Sequence, residues 1–193
     1  MVDITDCRDL TSLQTVLFMI LFLQSSSRLS TCYSYIGVVL RSSIRMGLHR
    51  SVAIKFNPIE GQIRQRIFWT VRKMDAYTGA LLGLPNLLSE EDIDQEMPLE
   101  VDDEYITSEK ILPMPDGHLS LMTAVNAHTR LVKILLKIVR YIYPIKADEN
   151  RADRSYAVSH KKVREIEQDL QQWMEGLPMA LRPGSEAPPD IAR

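Results

Sequence analysis

Catalysis in a chain of this size would have to come from histidines, cysteines, paired carboxylates or phosphate-binding loops, and none of these falls into a catalytic spacing. His49, His118, His128 and His160 stand far apart. No HxxxH or HExxH pair therefore sets two imidazoles on one helical face, and a metal hydrolase is not expected. Cys7 and Cys32 are the only cysteines, too few for a disulfide framework or a four-ligand zinc site, and their scarcity fits a reducing compartment. No GxSxG, GxGxxG or GxxxxGK motif occurs, which removes the signals of a hydrolase serine, a dinucleotide loop and a P-loop. The expectation is a non-enzyme, with no catalytic residue, no metal ligand and no cofactor in this chain.

Three polar features remain. Asp75 sits beside an apolar helical stripe, with Trp69 and Arg72 within two turns. Its carboxylate is expected to be paired with a base, since unpaired burial is costly; solvent exposure and ligand contact are the alternatives. Gly79 and Gly83 form a GxxxG spacing, which predicts close approach of another backbone rather than a ligand site. Residues 89–104 carry nine acidic side chains, no basic one, and Pro98. That composition predicts a loop. It lacks the glycine and terminal glutamate of an EF-hand, so calcium binding is not expected.

The elements that must position these residues are helices. Leu10–Gln24 places Leu13, Leu17, Ile20 and Leu21 at helical spacing, with Val16, Phe18 and Leu23 widening the apolar surface almost all round, the pattern of a buried helix. A second runs over Ser30–Leu48 towards Gly47, and a third from about Ile63 to the Gly83–Pro85 corner. A fourth is expected over about Leu119–Tyr143, with Leu121, Val125, His128, Val132, Leu135, Leu136 and Val139 as a broad apolar stripe and Pro144 as its stop, and a fifth over about Ser155–Glu175. In the fifth, Val163, Ile166, Leu170, Trp173 and Leu177 make a 3-4-3-4 seam for helix four or for a partner subunit. No run alternates with period two, so the fold class is all-α: antiparallel helix pairs, an acidic loop and a tail. The domain is expected over residues 1–177, and the proline-rich segment 178–193 as a flexible tail or linker.

The chain has 193 residues, 45% apolar and 25% charged, the balance of a globular domain, with a net charge of −2. There is no global basic field for nucleic acid. Outside the acidic loop, however, 23 basic residues face 16 acidic ones, and residues 36–73 hold eight basic side chains against Glu60. The loop is therefore expected beside that basic helical surface. The apolar run 16–23 is too short to cross a bilayer, and the charges ahead of it are not those of a secretory signal, which leaves cytosol or nucleus.

Three segments in order, 34–50 (SYIGVVLRSSIRMGLHR), 64–85 (RQRIFWTVRKMDAYTGALLGLP) and 92–98 (DIDQEMP), resemble the fungal-specific transcription factor domain, the middle homology region of zinc binuclear cluster regulators. The family's Gly-Leu-His-Arg element matches Gly47, Leu48, His49 and Arg50. Its basic-Phe-Trp element and downstream Asp match Arg64, Arg66, Phe68, Trp69 and Asp75. Its Gly-Arg-Pro corner matches Gly83 and Pro85, with Leu84 in place of Arg, and its Asp-Ile-Asp element matches Asp92, Ile93 and Asp94. The match is strongest over residues 10–115. The resemblance implies a helical, non-DNA-contacting regulatory domain in a nuclear regulator of RNA polymerase II transcription. It also implies that DNA and zinc are bound only by an N-terminal module missing from this chain. Co-regulator proteins, a small inducer or a second copy as homodimer are the implied partners, and a membrane is not. The alternative is a helical protein-interaction scaffold outside transcription.

Overall fold

The computed structural model describes residues 6–51, 56–143 and 159–184. Five α-helices account for most of these: α1 (Leu10–Ser25), α2 (Leu29–Arg45), α3 (Pro58–Leu82), α4 (Leu121–Ile142) and α5 (His160–Glu175). No strand forms among the described residues, and the fold is all-α. The division between two compact units falls inside α4, after Asn126.

Local chemistry sets the helix ends. Asp9 caps α1 by accepting from Ser12 N at 2.8 Å. Asn57 caps α3 by accepting from Glu60 N at 2.9 Å, and Pro58 occupies the first turn, where its missing N–H costs nothing. These two residues start α3 a turn before the apolar series that predicts it. At the other end Gly83 takes the left-handed conformation (φ 67°) that closes the helix. Helix α2 stops at Arg45, short of the expected Leu48, because the chain turns at Gly47 (φ 73°) and Leu48 leaves the helix to enter the core. The start expected for α5 at Ser155 lies outside the described residues; the helix is seen from His160.

In the first unit one apolar cluster joins α1, α2, α3 and the residues after them. Leu13, Val16 and Ile20 of α1, Cys32, Ile36, Val39 and Leu40 of α2, and Ile67, Phe68, Trp69 and Val71 of α3 are all buried in it. The rings of Phe68 and Trp69 meet edge to face, with centroids 5.5 Å apart. The N-terminal segment is tied to this unit by Arg45, which donates to Cys7 O at 2.8 Å and pairs with Asp6.

Two expectations about helix faces are corrected. Helix α1 is not buried all round: Phe18 and Phe22 are 72% and 70% exposed, and only the side bearing Leu13, Val16, Leu17, Ile20 and Leu23 is covered. A single 16-residue helix packed on one side has an opposite face whatever its composition. In α4, Leu121 is 73% exposed and His128 is exposed, whereas Thr123, Asn126 and Thr129 are buried. Helix α4 is rotated towards its small polar residues because Asn126 is needed for hydrogen bonds described below. The start of α4 is held by Asp102, whose carboxylate accepts from Ser120 Oγ at 2.6 Å, His118 Nε2 at 2.7 Å and Leu121 N at 3.3 Å. The Ser120 hydroxyl and the His118 ring hold the Asp102 carboxyl below the usual range.

In the second unit, Ile166 and Leu177 of the α5 seam are buried and Val163, Leu170 and Trp173 half-buried. Trp173 Nε1 donates to Ala127 O at 2.8 Å, and Lys137 of α4 pairs with Glu165 and Asp169. One residue of the seam, Trp173, thus reaches α4 within the chain. Of the segment expected as a tail, residues 178–184 include a short 3₁₀ turn at Met179–Leu181, and Arg182 donates back to Leu177 O and Glu175 O. Residues 185–193 lie outside the described residues.

Phe68 is the largest fully buried side chain. Phe68→Ala is expected to lower stability by roughly 3–5 kcal/mol, read as a fall in the denaturant midpoint. An unchanged midpoint would contradict the core described above.

Candidate functional site

The acidic segment is an extended strap laid over helices, and its backbone poses the problem that shapes the site. Ile93, Gln95 and Met97 turn inward and Asp94 and Glu96 outward, with Pro98 buried. An extended strand beside helices has no neighbouring strand to satisfy its N–H and C=O groups, and leaving them buried and unpaired is costly. Side chains and one short backbone pairing do this instead. Asp94 N donates to His49 O at 3.0 Å and Ser51 N to Asp94 O at 2.9 Å, a parallel pairing of Arg50 with Asp94. The Gln95 amide reaches back to Leu48 O (2.8 Å) and Arg50 O (3.0 Å). Trp69 Nε1 donates to Glu96 O at 2.8 Å, Asn126 Nδ2 to Pro98 O at 2.7 Å, and Leu99 N to the Gln62 side chain at 2.9 Å.

Charge has a smaller part than the sequence pattern led one to expect. Arg66 pairs with Asp103 and donates to Val101 O. Two other arginines of this region serve as internal staples. Arg64 donates to Met46 O at 2.9 Å, approaches Glu60 at 3.7 Å and lies over the Phe56 ring. Arg45 is held at the N-terminal segment.

The strap and the turn after α2 enclose an open cleft of about 430 Å³ lined by Ile44, His49, Arg50, Leu88, Glu91, Asp92 and Asp94. Leu88 is buried and Ile44 packs against the core, while the carboxylates of Glu91, Asp92 and Asp94 are exposed. Asp92 also closes a capping box with Ser89, accepting from Ser89 N at 3.2 Å. The Nδ1 atom of His49 is buried and has no hydrogen-bond partner. Burial, with the Arg50 charge adding to it, pushes the His49 pKa down, so the ring is neutral at pH 7.

Behind the strap lies a buried ion pair. Arg72 Nη1 donates to Asp75 Oδ2 at 3.2 Å, and both side chains are almost wholly buried. Leu87 N donates to the same carboxylate oxygen at 3.2 Å. Burial pushes the Asp75 carboxyl up and the Arg72 guanidinium down, each opposed by the charge of the other. The pair fixes the corner after α3. That corner folds back so tightly that a Cβ on Gly79 would stand 3.1 Å from Leu84 O, which explains the small residue there. Tyr33 Oη donates to Pro85 O at 3.3 Å from the other side.

The structure therefore brings together two of the sequence elements singled out above, His49 and Arg50 with Asp92 and Asp94, while Gly47 and Leu48 supply the turn and its buried anchor. Arg64, Arg66, Phe68, Trp69, Asp75, Gly83 and Pro85 do not line the cleft. They hold α3, the corner and the strap in place. Gln62, Gln95, Asn126 and Leu88 escaped the sequence reading. A polar amide inside an otherwise apolar helical stripe was the available signal for Gln62 and Asn126. Gln95 has no signal beyond its place between two acidic residues. Among the described residues no three His, Cys, Asp or Glu side chains converge to hold a metal ion. Cys7 and Cys32 are buried and form no disulfide, and burial pushes both thiol pKa values up. No helix among the described residues is long and apolar enough to cross a membrane.

Helices that carry a stapled acidic strap and a charged cleft define an all-α domain. Its sequence places it further: the profile of the fungal specific transcription factor domain matches residues 3–175, and the chain belongs to that family. It is 43% identical over 196 residues to "Activator of stress genes protein 1" of Candida albicans, covering 95% of this chain and 20% of that protein. It is also 43% identical over 189 residues to "Activator of stress genes 1" of Saccharomyces cerevisiae (96% and 19%). Identity to "Transcriptional activator protein acu-15" of Neurospora crassa is 34% over 149 residues (77% and 15%). The chain thus spans about a fifth or less of the length of these relatives. No solved structure matches it.

Gln95→Ala leaves the carbonyls of Leu48 and Arg50 without their side-chain donor. It is expected to cost about 1–3 kcal/mol and to speed hydrogen exchange at Ser51 N and Asp94 N before global unfolding; exchange unchanged at those amides would show that the strap is held elsewhere. Arg72→Ala strands a buried carboxylate and is expected to cost about 3–5 kcal/mol in chemical denaturation, whereas the double replacement Arg72→Met with Asp75→Leu should recover much of that loss.

Proposed function

We propose that this chain is the regulatory, non-DNA-contacting part of a fungal transcription regulator acting on RNA polymerase II genes. The observation that carries this reading is the family match over residues 3–175, supported by the likeness to "Activator of stress genes protein 1" and "Transcriptional activator protein acu-15". The role is non-enzymatic. The polypeptide works in the nucleus and reaches DNA through a zinc-cluster module that lies outside these 193 residues. Co-regulator proteins or a small inducer supply its signal, and a second copy can pair with it. The physical support for regulation is the strap: a ligand or partner that prefers one arrangement of strap and cleft shifts the balance of states by its differential affinity for them.

Two measurements test this. The isolated chain should show at most weak, salt-sensitive DNA association in a mobility-shift assay, since its net charge is −2 and such contact is electrostatic. Nanomolar, sequence-dependent binding at physiological salt would overturn the reading. Fused to a heterologous DNA-binding domain in a yeast reporter strain, the chain should change reporter output, and Gln95→Ala should alter that change; a fusion indistinguishable from the DNA-binding domain alone would count against a regulatory role.

A further inference from the structure

We propose that two copies of this chain pair through the outer face of α1, antiparallel across a two-fold axis. Between Asp9 and Arg28 the sequence has no charged side chain, and among the described helices α1 alone carries none. Its inner side is committed to the core through Leu13, Val16, Leu17, Ile20 and Leu23. The outer side is nevertheless apolar at its centre. Phe18 and Phe22, one turn apart, are 72% and 70% exposed, and Leu21 beside them is 45% exposed. Single apolar side chains scattered over a surface are ordinary, but two adjacent aromatic rings on a helix with no charge of its own form a contiguous patch that calls for cover.

Pattern and charge point to a second copy as the cover. Thr11, Thr15, Phe18, Phe22 and Ser25 are all exposed and follow a 4-3-4-3 spacing, a seam shaped for another helix. The seam matches its own reverse. About an axis between Phe18 and Phe22, Phe18 of one copy meets Phe22 of the other and Thr15 meets Ser25, so that ring packs on ring and hydroxyl on hydroxyl. An uncharged face meets its own image without like-charge repulsion, and it offers a charged partner nothing to pair with. The antiparallel order also sets the opposite ends of the two helix dipoles together. The two exposed rings bring roughly 200–350 Å² per copy on a helix about 24 Å long. That area is below the roughly 800 Å² per partner of a standard interface, so the pair is weak and concentration-dependent.

The pairing deepens the second-copy part of the proposed function and rests on it, yet it is read on the isolated chain, so a monomer would strike this face and leave the regulatory role to the reporter fusion. Sedimentation of the chain from micromolar to submillimolar concentration should show the average mass rising from one copy towards two. The rise should persist in high salt, because no charge holds the face. Phe18→Glu or Phe22→Glu should weaken the association about tenfold or more by placing a carboxylate in the contact, and should leave the thermal midpoint of the dilute protein unchanged because both rings are exposed. Leu121→Glu, at a residue of α4 that is 73% exposed, should leave the association intact. Thr15→Cys combined with Ser25→Cys places two thiols about 15 Å apart along one helix, too far to close within a chain; it should give a covalent dimer on mild oxidation, and Thr15→Cys alone should not. A chain that stays monomeric throughout, an association that Phe18→Glu leaves intact or that salt dissolves, or cross-linking by Thr15→Cys alone would each overturn the proposal.

Discussion

An extended segment can lie on a helical core only if something other than a neighbouring strand satisfies its backbone, and the first compact unit is arranged around that constraint. The side chains of Gln62, Trp69, Gln95 and Asn126 each hydrogen-bond backbone in or beside the strap, and three of the four belong to helices. This decides which face α3 presents, since Gln62 and Trp69 must both reach the strap, and which face α4 buries, since Asn126 must reach Pro98 O. Buried amides in a core otherwise made of Leu, Ile, Val and Phe are thereby accounted for. The same staples place Asp94 beside His49 and so create the cleft.

Much of the helical framework was legible in the sequence because periodicity and end signals report it directly. Gly47 and Gly83 act at helix ends for reasons that do not depend on tertiary contacts, whereas the caps Asp9 and Asn57 went unread. What periodicity cannot give is which neighbour a face meets. Phe18 and Phe22 read as core by residue type, yet the single partner surface available to α1 covers only its other side. Thr123 and Asn126 read as polar, yet both are buried, and Asn126 donates to Pro98 O of the strap. The pairing of Asp75 with Arg72, three residues apart on one helix, follows from spacing and is present. The meeting of His49 with Asp92 and Asp94, over forty positions away, is visible only as two elements of one family pattern until the fold joins them.

The distribution of charge follows from the same economy of donors. Arginines are the long side chains best able to cap carbonyls and bridge elements, and Arg45, Arg64, Arg66 and Arg72 are each held by such contacts inside the unit. Of these four only Arg66 reaches an acidic residue of the strap, Asp103, so a mere count of basic and acidic residues overstates the neutralisation. Glu91, Asp94 and Glu96 remain exposed without a basic partner among the described residues. The field they create extends over roughly 8 Å at physiological salt, and among the residues lining the cleft Arg50 carries the positive charge. The staples that hold the strap are backbone contacts and amide or indole side chains that would serve uncharged residues at Glu91, Asp94 and Glu96 equally well, so these exposed carboxylates belong to what the strap presents outward rather than to what holds it down.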